Sequence, residues 1–234
     1  MVLRPAGYFV VVESPLEFAR DEVVPRLRGL LHAYAFWFAL AAAVALILVA
    51  PDTRARVSAV IYGIGLCALF GASATYHRWR GHPRWKPVLR RIDHSTIFIF
   101  IAASYTPIAL LVLNDPLRII VLASVWIGAL AGVAMSIAWI DAPRTLVALC
   151  YIAVGWVALV AMPQLFSHRG IGMPLLLLIG GILYSLGAAA YATKRPNPWP
   201  RTFGFHEVFH SLVIAAAAVH FVAIAGVIAN PVAT

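Results

Sequence analysis

Charge is scarce in this sequence. Only 12% of its 234 residues are Asp, Glu, Lys or Arg, about half the share in a soluble domain, so water is not the solvent for most of its surface. Cysteine is scarcer still. Cys67 and Cys150 both sit in apolar stretches with no CxxC pair, which excludes a disulfide framework and leaves dithiol redox chemistry without support. No short apolar core lies near the start, where a signal peptide would carry one, and the first apolar run is expected to stay in the mature chain. No long linker, low-complexity tract or internal repeat divides the chain. No lysine lies in an apolar run, since Lys86 and Lys194 both fall between them, and this excludes a retinal Schiff base.

What is abundant is hydrophobic side chain, at 62%. About 20 apolar residues cross a hydrocarbon core, and seven runs of that kind occur: 29–50, 57–76, 92–113, 119–140, 145–167, 171–192 and 203–229. Lipid cannot satisfy free backbone groups, so each run must be helical. The expectation is an all-α, seven-transmembrane helix bundle forming one domain, preceded by residues 1–28. Within and just beyond that leading segment, Ser14 to Leu30 is a candidate interfacial helix, with Leu16, Val23, Val24 and Leu27 interleaved with charges. The competing reading is a partly ordered tail interrupted by Pro25.

Lysine and arginine fix the expected orientation. Loops on alternate sides carry fourteen of them against four, which puts the N-terminus in the cytoplasm and the C-terminus outside. The net charge of +9 therefore points to anionic lipid headgroups and to no nucleic acid. The expected location is the cell membrane, with several passes. Gly128 and Gly132 form a small-xxx-small pair expected to pack helices within the bundle.

Two acidic residues lie inside these runs, Asp93 and Glu207. An ionisable group in a span is costly and faces a cavity, a partner or a metal. Both are expected on the basic side, beside Ser73 and His77 at the end of the second run and His206 and His210 at the start of the seventh. Ser73 and His77 are four apart and share a helix face, as do His206 and His210. Two imidazoles at that spacing can grip one ion, and His77 from another helix supplies a third ligand. Three protein ligands plus water is the catalytic zinc arrangement, whereas four close a structural site. Asp93 and Ser73 would then orient or deprotonate the water.

Other histidines carry blander expectations. A lone membrane histidine usually hydrogen-bonds across helices, the reading applied to His220 and His32. His82 and His168 are expected in loops. His94 is turned about 100° from Asp93 on a helix and is expected to be structural.

Three separated motifs, Ser73-Ala-Thr-Tyr-His77, Arg91-Ile-Asp93-His94-Ser95 and His206-Glu207-Val-Phe-His210, resemble those of the hemolysin III family. More broadly they resemble the progestin and adiponectin receptor superfamily, which shares the pattern with alkaline ceramidases. Ser104-Tyr-Thr-Pro107 is similar to the family too, and the likeness spans nearly the whole chain. The first span departs from it, lacking a small, glycine-bearing pattern around His32. The resemblance implies seven helices with an inside N-terminus, zinc held by His77, His206 and His210, and Asp93 and Ser73 close to the metal's water.

Three functions compete at this stage. The first is a zinc-dependent hydrolase of a lipid-like amide or ester, with Asp93 as base. The second is a pore-forming or receptor-like protein in which a structural metal staples the spans together. The third is an intramembrane metalloprotease, because His206 to His210 spells H-E-x-x-H with Glu207 as base. An intramembrane serine protease is set aside: Ser73 and His77 on one helix make a poor nucleophile and base, without the strained turn that exposes such a serine.

Overall fold

A computed structural model describes residues 25–231. Among them the chain is all helix: α1 (Leu30–Val49), α2 (Thr53–Arg78), α3 (Lys86–Val112), α4 (Leu117–Ala138), α5 (Arg144–Gly155), α6 (Ala158–Arg169), α7 (Gly172–Thr193) and α8 (Phe205–Ala229). Seven segments are long and apolar enough to cross a membrane, with α5 and α6 together forming the fifth. The candidate interfacial helix lies outside the described residues except for its last turn, which leads into α1.

Observed helix ends differ from the apolar runs where capping and charge decide. The second span starts at Thr53 because the Asp52 side chain accepts from the Ala55 amide at 2.8 Å, a side-chain cap. The third starts at Lys86, six residues before its apolar run. Pro87 sits in the first turn, where its missing N–H costs nothing, and Arg90 and Arg91 turn outward to Asp141 and the Ile137 carbonyl. Asp93 is thus two turns inside α3 instead of at its mouth. The fifth span is broken at Trp156 and Val157. There the Tyr105 hydroxyl donates to the Gly155 carbonyl and accepts from the Ala158 amide, satisfying backbone groups that lipid would leave bare.

The centre of the bundle is α3, with 67% of its apolar window buried against 22% for α1 and for the fifth span. Helices α2, α4 and α8 pack around it. Small residues set these distances, since lipid tails offer no hydrophobic drive between helices and close backbone approach must supply the packing. Gly132 lies directly against the Phe98 ring, and a Cβ at Gly128 would stand 3.0 Å from Val154. Both contacts of the small-xxx-small pair are therefore within the chain. Outward-facing Trp37, Phe38, Leu48, Ile64, Ile119 and Ile127 leave an apolar belt on the outside, as a lipid-facing surface requires.

Candidate metal centre

At the basic end three helix termini converge. The last turn of α2 brings His77, α3 brings Asp93, and the first two turns of α8 bring His206 and His210. One ring nitrogen from each of His77, His206 and His210 lies within 4.8 Å of the other two. Nε2 of His77 and Nε2 of His206 are 3.1 Å apart. Ligand nitrogens about 2.0–2.1 Å from a tetrahedral ion stand roughly 3.3 Å from each other, so this cluster could hold a metal ion with little rearrangement. All three donors are imidazoles, a set suited to zinc, copper, iron or nickel. Asp93 completes the surroundings, its Oδ2 standing 3.6 Å from Nε2 of His77, and Ser73 lines the cavity beside it.

Local sequence explains why the termini meet. Gly29 precedes α1 at a φ of +74°, a left-handed conformation that favours glycine. A Cβ there would sit 2.5 Å from Cβ of His77, so only glycine lets the start of α1 close against the ligand. Next to it, residues 25–28 run beside the connection into α8: the amides of Arg26 and Leu27 donate to the carbonyls of Arg201 and Thr202 at 3.1 and 3.2 Å. Arg28 then reaches Glu207, with Nε 2.8 Å from Oε1.

That contact decides what Glu207 does. Its other oxygen, Oε2, accepts from the Gly204 amide at 2.9 Å, capping the N-terminus of α8. The residue is fully buried, and both carboxylate oxygens are taken by partners at the helix start. Asp93 faces the histidines; Glu207 faces the latch.

From the histidines a cavity of about 110 Å³ runs inward between α3, α5, α7 and α8. A single water needs only about 10–15 Å³ on the same measure, so the space is not an ordinary hydration site. His206 and His220 both line it, and fourteen residues of α8 separate them, about 21 Å of axis. Leu69, Ile97, Phe100, Ile101 and Val213 make its walls largely apolar, with Ser73, Asp93 and Tyr191 at the metal end.

The remaining histidines divide. His220 Nε2 stands 3.0 Å from the Leu177 carbonyl, the cross-helix bond expected of it. His82 lies between helices, its Nδ1 accepting from the Arg84 amide. His168 is no loop residue: it occupies the last turn of α6 and meets the Val112 carbonyl through Nδ1 at 2.9 Å, because the fifth span continues two residues past its apolar run. His94 lines the cavity instead of only bracing the helix. His32 departs furthest from expectation. It is buried at 2% exposure, neither ring nitrogen has a partner, and it lies on the cavity wall stacked against His210.

Seven apolar helices with three histidines gathered at their basic end define a multi-pass membrane protein with a candidate metal centre. The family model for Haemolysin-III related proteins matches residues 22–221, and the chain belongs to that family. It is 30% identical over 209 residues to Hemolysin-3 of Bacillus cereus, covering 88% of this chain and 90% of that protein. The Hemolysin-3 homolog of Bacillus subtilis (strain 168) is 34% identical over 166 residues, 70% of this chain and 74% of its own. Monocyte to macrophage differentiation factor of Homo sapiens is 28% identical over 202 residues, 82% of this chain and 79% of that one.

Proposed function

We propose that this protein is a zinc-dependent hydrolase of a lipid-like amide or ester, working at the cytoplasmic leaflet of the cell membrane. The observation that carries the reading is the placing of a carboxylate and a hydroxyl, Asp93 and Ser73, between a three-histidine cluster and an apolar cavity. His77, His206 and His210 would hold the ion. An ion held there would supply a Lewis acid for a carbonyl and make a water easier to deprotonate. Asp93 accepts the proton of the attacking water and returns it to the leaving nitrogen or oxygen. Ser73, on the cavity wall beside it, can turn its O–H to the developing oxyanion. The apolar walls take the acyl chain, while the arginines and lysines of the loops at the histidine end suit an anionic membrane surface.

Glu207 supports this assignment over the intramembrane metalloprotease. A base must reach the proton it removes, and both Glu207 oxygens are engaged with Arg28 and Gly204. One observation favours a second reading, a receptor-like protein with a structural metal: His77 and His206 already touch ring to ring, so an ion there would also staple α2 to α8. The test is hydrolysis of long-chain N-acyl amides and esters by the purified zinc-loaded protein, with Asp93→Ala as control. Turnover in wild type, lost in the variant at unchanged zinc content, supports the hydrolase; zinc binding with no turnover supports the staple.

A further inference from the structure

His32 is a buried imidazole without a hydrogen bond, and the molecule contains its own controls. His220 and His168, also on membrane helices, each point a ring nitrogen at a main-chain carbonyl, Leu177 and Val112 respectively. His32 sits in the first turn of α1 at 2% exposure, and both Nδ1 and Nε2 lack any partner. A neutral imidazole carries one N–H donor and one acceptor, and leaving such groups buried and unanswered is destabilising. The fold nevertheless holds the ring firmly. It lies face to face with His210, centroids 3.8 Å apart and planes 12° from parallel, and Phe70 closes on it edge-on at 5.1 Å. The ring also forms part of the cavity wall, beside Ser73, Asp93, His206 and His210.

A fourth metal ligand does not fit this arrangement. The ligand-atom cluster takes in His77, His206 and His210 within 4.8 Å and leaves His32 out. What His32 does have is a fixed ring, one layer above a candidate ligand, beside the space an acyl chain would enter. We infer that His32 is a ligand-contacting residue of this cavity, donating its ring N–H to an acyl oxygen of the bound molecule. The class of ligand is a long-chain acyl compound whose carbonyl or carboxyl lies against the histidine cluster. The inference rests on the hydrolase reading for the acyl group and on the geometry alone for His32.

The test uses the full chain in detergent, zinc-loaded and zinc-free, with dodecanohydroxamate as the acyl probe. His32→Phe keeps the stacked ring and removes both nitrogens; His32→Gln restores a donor without the ring; His32→Leu serves if the phenylalanine variant does not fold. Zinc affinity is read by chelator competition and probe affinity by calorimetry. The expected result is zinc affinity within about twofold of wild type in all variants. Probe binding should weaken about tenfold, the worth of one hydrogen bond, in His32→Phe or His32→Leu, and largely recover in His32→Gln. Equal probe affinity in wild type and His32→Phe would overturn the inference, and so would a loss of zinc matching the loss of probe. The two readings fail separately. Wild type that hydrolyses nothing yet binds the probe through His32 sinks the hydrolase alone. Wild type that turns over substrate while His32→Phe binds the probe undiminished sinks the His32 contact alone.

Discussion

Breaking the Arg28–Glu207 latch from either side should give unequal results. Arg28→Ala leaves the Glu207 carboxylate fully buried with one partner, the Gly204 amide. Removing one member of a buried pair costs about 3–5 kcal/mol, and the Arg28 side chain is 23% exposed, so the lower end, about 3 kcal/mol, applies. Glu207→Gln keeps one acceptor oxygen and loses the charge. Arg28 can then turn to water or to a lipid headgroup, and the loss is close to that of a helix cap, about 1 kcal/mol. At about 2–4 °C per kcal/mol for a chain of this size, Arg28→Ala should melt about 6–12 °C below wild type and Glu207→Gln about 2–4 °C below. The assay is thermal unfolding in one detergent, with zinc content and hydrolysis measured on the same samples. Both variants should keep their zinc. Glu207→Gln losing turnover by a hundredfold or more at an unchanged melting temperature would refute the reasoning, because Glu207 would then be acting on substrate and not on the helix start.

Elemental analysis should find one zinc per wild-type chain and none in a His206→Ala, His210→Ala double variant. Because imidazoles must be unprotonated to bind, occupancy should fall on acidification, and dialysis against a weak chelator at stepped pH would show it; occupancy that rises on acidification contradicts a histidine site. Tyr105→Phe strips the hydroxyl bridging Gly155 and Ala158 and leaves two backbone groups of the broken fifth span without their side-chain partner. A loss of about 1–3 kcal/mol should lower the melting temperature by about 2–12 °C, and no shift would show that the break is satisfied otherwise. Asp93→Asn, which preserves shape and removes the proton acceptor, should cost about a hundred- to ten-thousandfold in turnover with zinc retained; full turnover in that variant removes Asp93 from the chemistry.

Much of the fold was legible because a bilayer constrains sequence strongly. Apolar length alone locates spans, and each of the seven runs falls on one of the seven segments long and apolar enough to cross a membrane. It fails where helices are not apolar. Lys86 to Arg91 are helical, yet charged and outward-facing, so α3 extends beyond its hydrophobic run. It fails also where the apolar run is not one helix, since nothing in Gly155-Trp156-Val157 marks a break by hydropathy. The signal lay elsewhere, in Tyr105, a buried hydroxyl with no partner on its own helix. Four-residue spacing was enough to pair His206 with His210 and Ser73 with His77, because that repeat is a property of the helix itself. The contacts of His32 and Arg28 come from α1 and the segment before it, which meet α8 only after the chain has folded. No local periodicity reports such an encounter.

The two acids inside the spans carry the same letter-level signal and end in opposite roles. Each lies towards the basic end of a helix, Glu207 in the first turn of α8 and Asp93 two turns into α3, and each neighbours a histidine in sequence. Spacing even favours Glu207, which stands between two histidines in a recognised metalloprotease pattern. Environment separates them. Glu207 finds the Arg28 guanidinium and the Gly204 amide at the start of α8, partners that engage both carboxylate oxygens and hold them in place. Asp93 finds a hydroxyl and an imidazole beside a cavity, neighbours that leave it exchangeable. A proton acceptor must be able to give its proton back, and a carboxylate whose two oxygens are committed to a latch cannot do so without unfastening a helix. The carboxylate beside the cavity can, which is why the less motif-like acid is the one proposed for the chemistry.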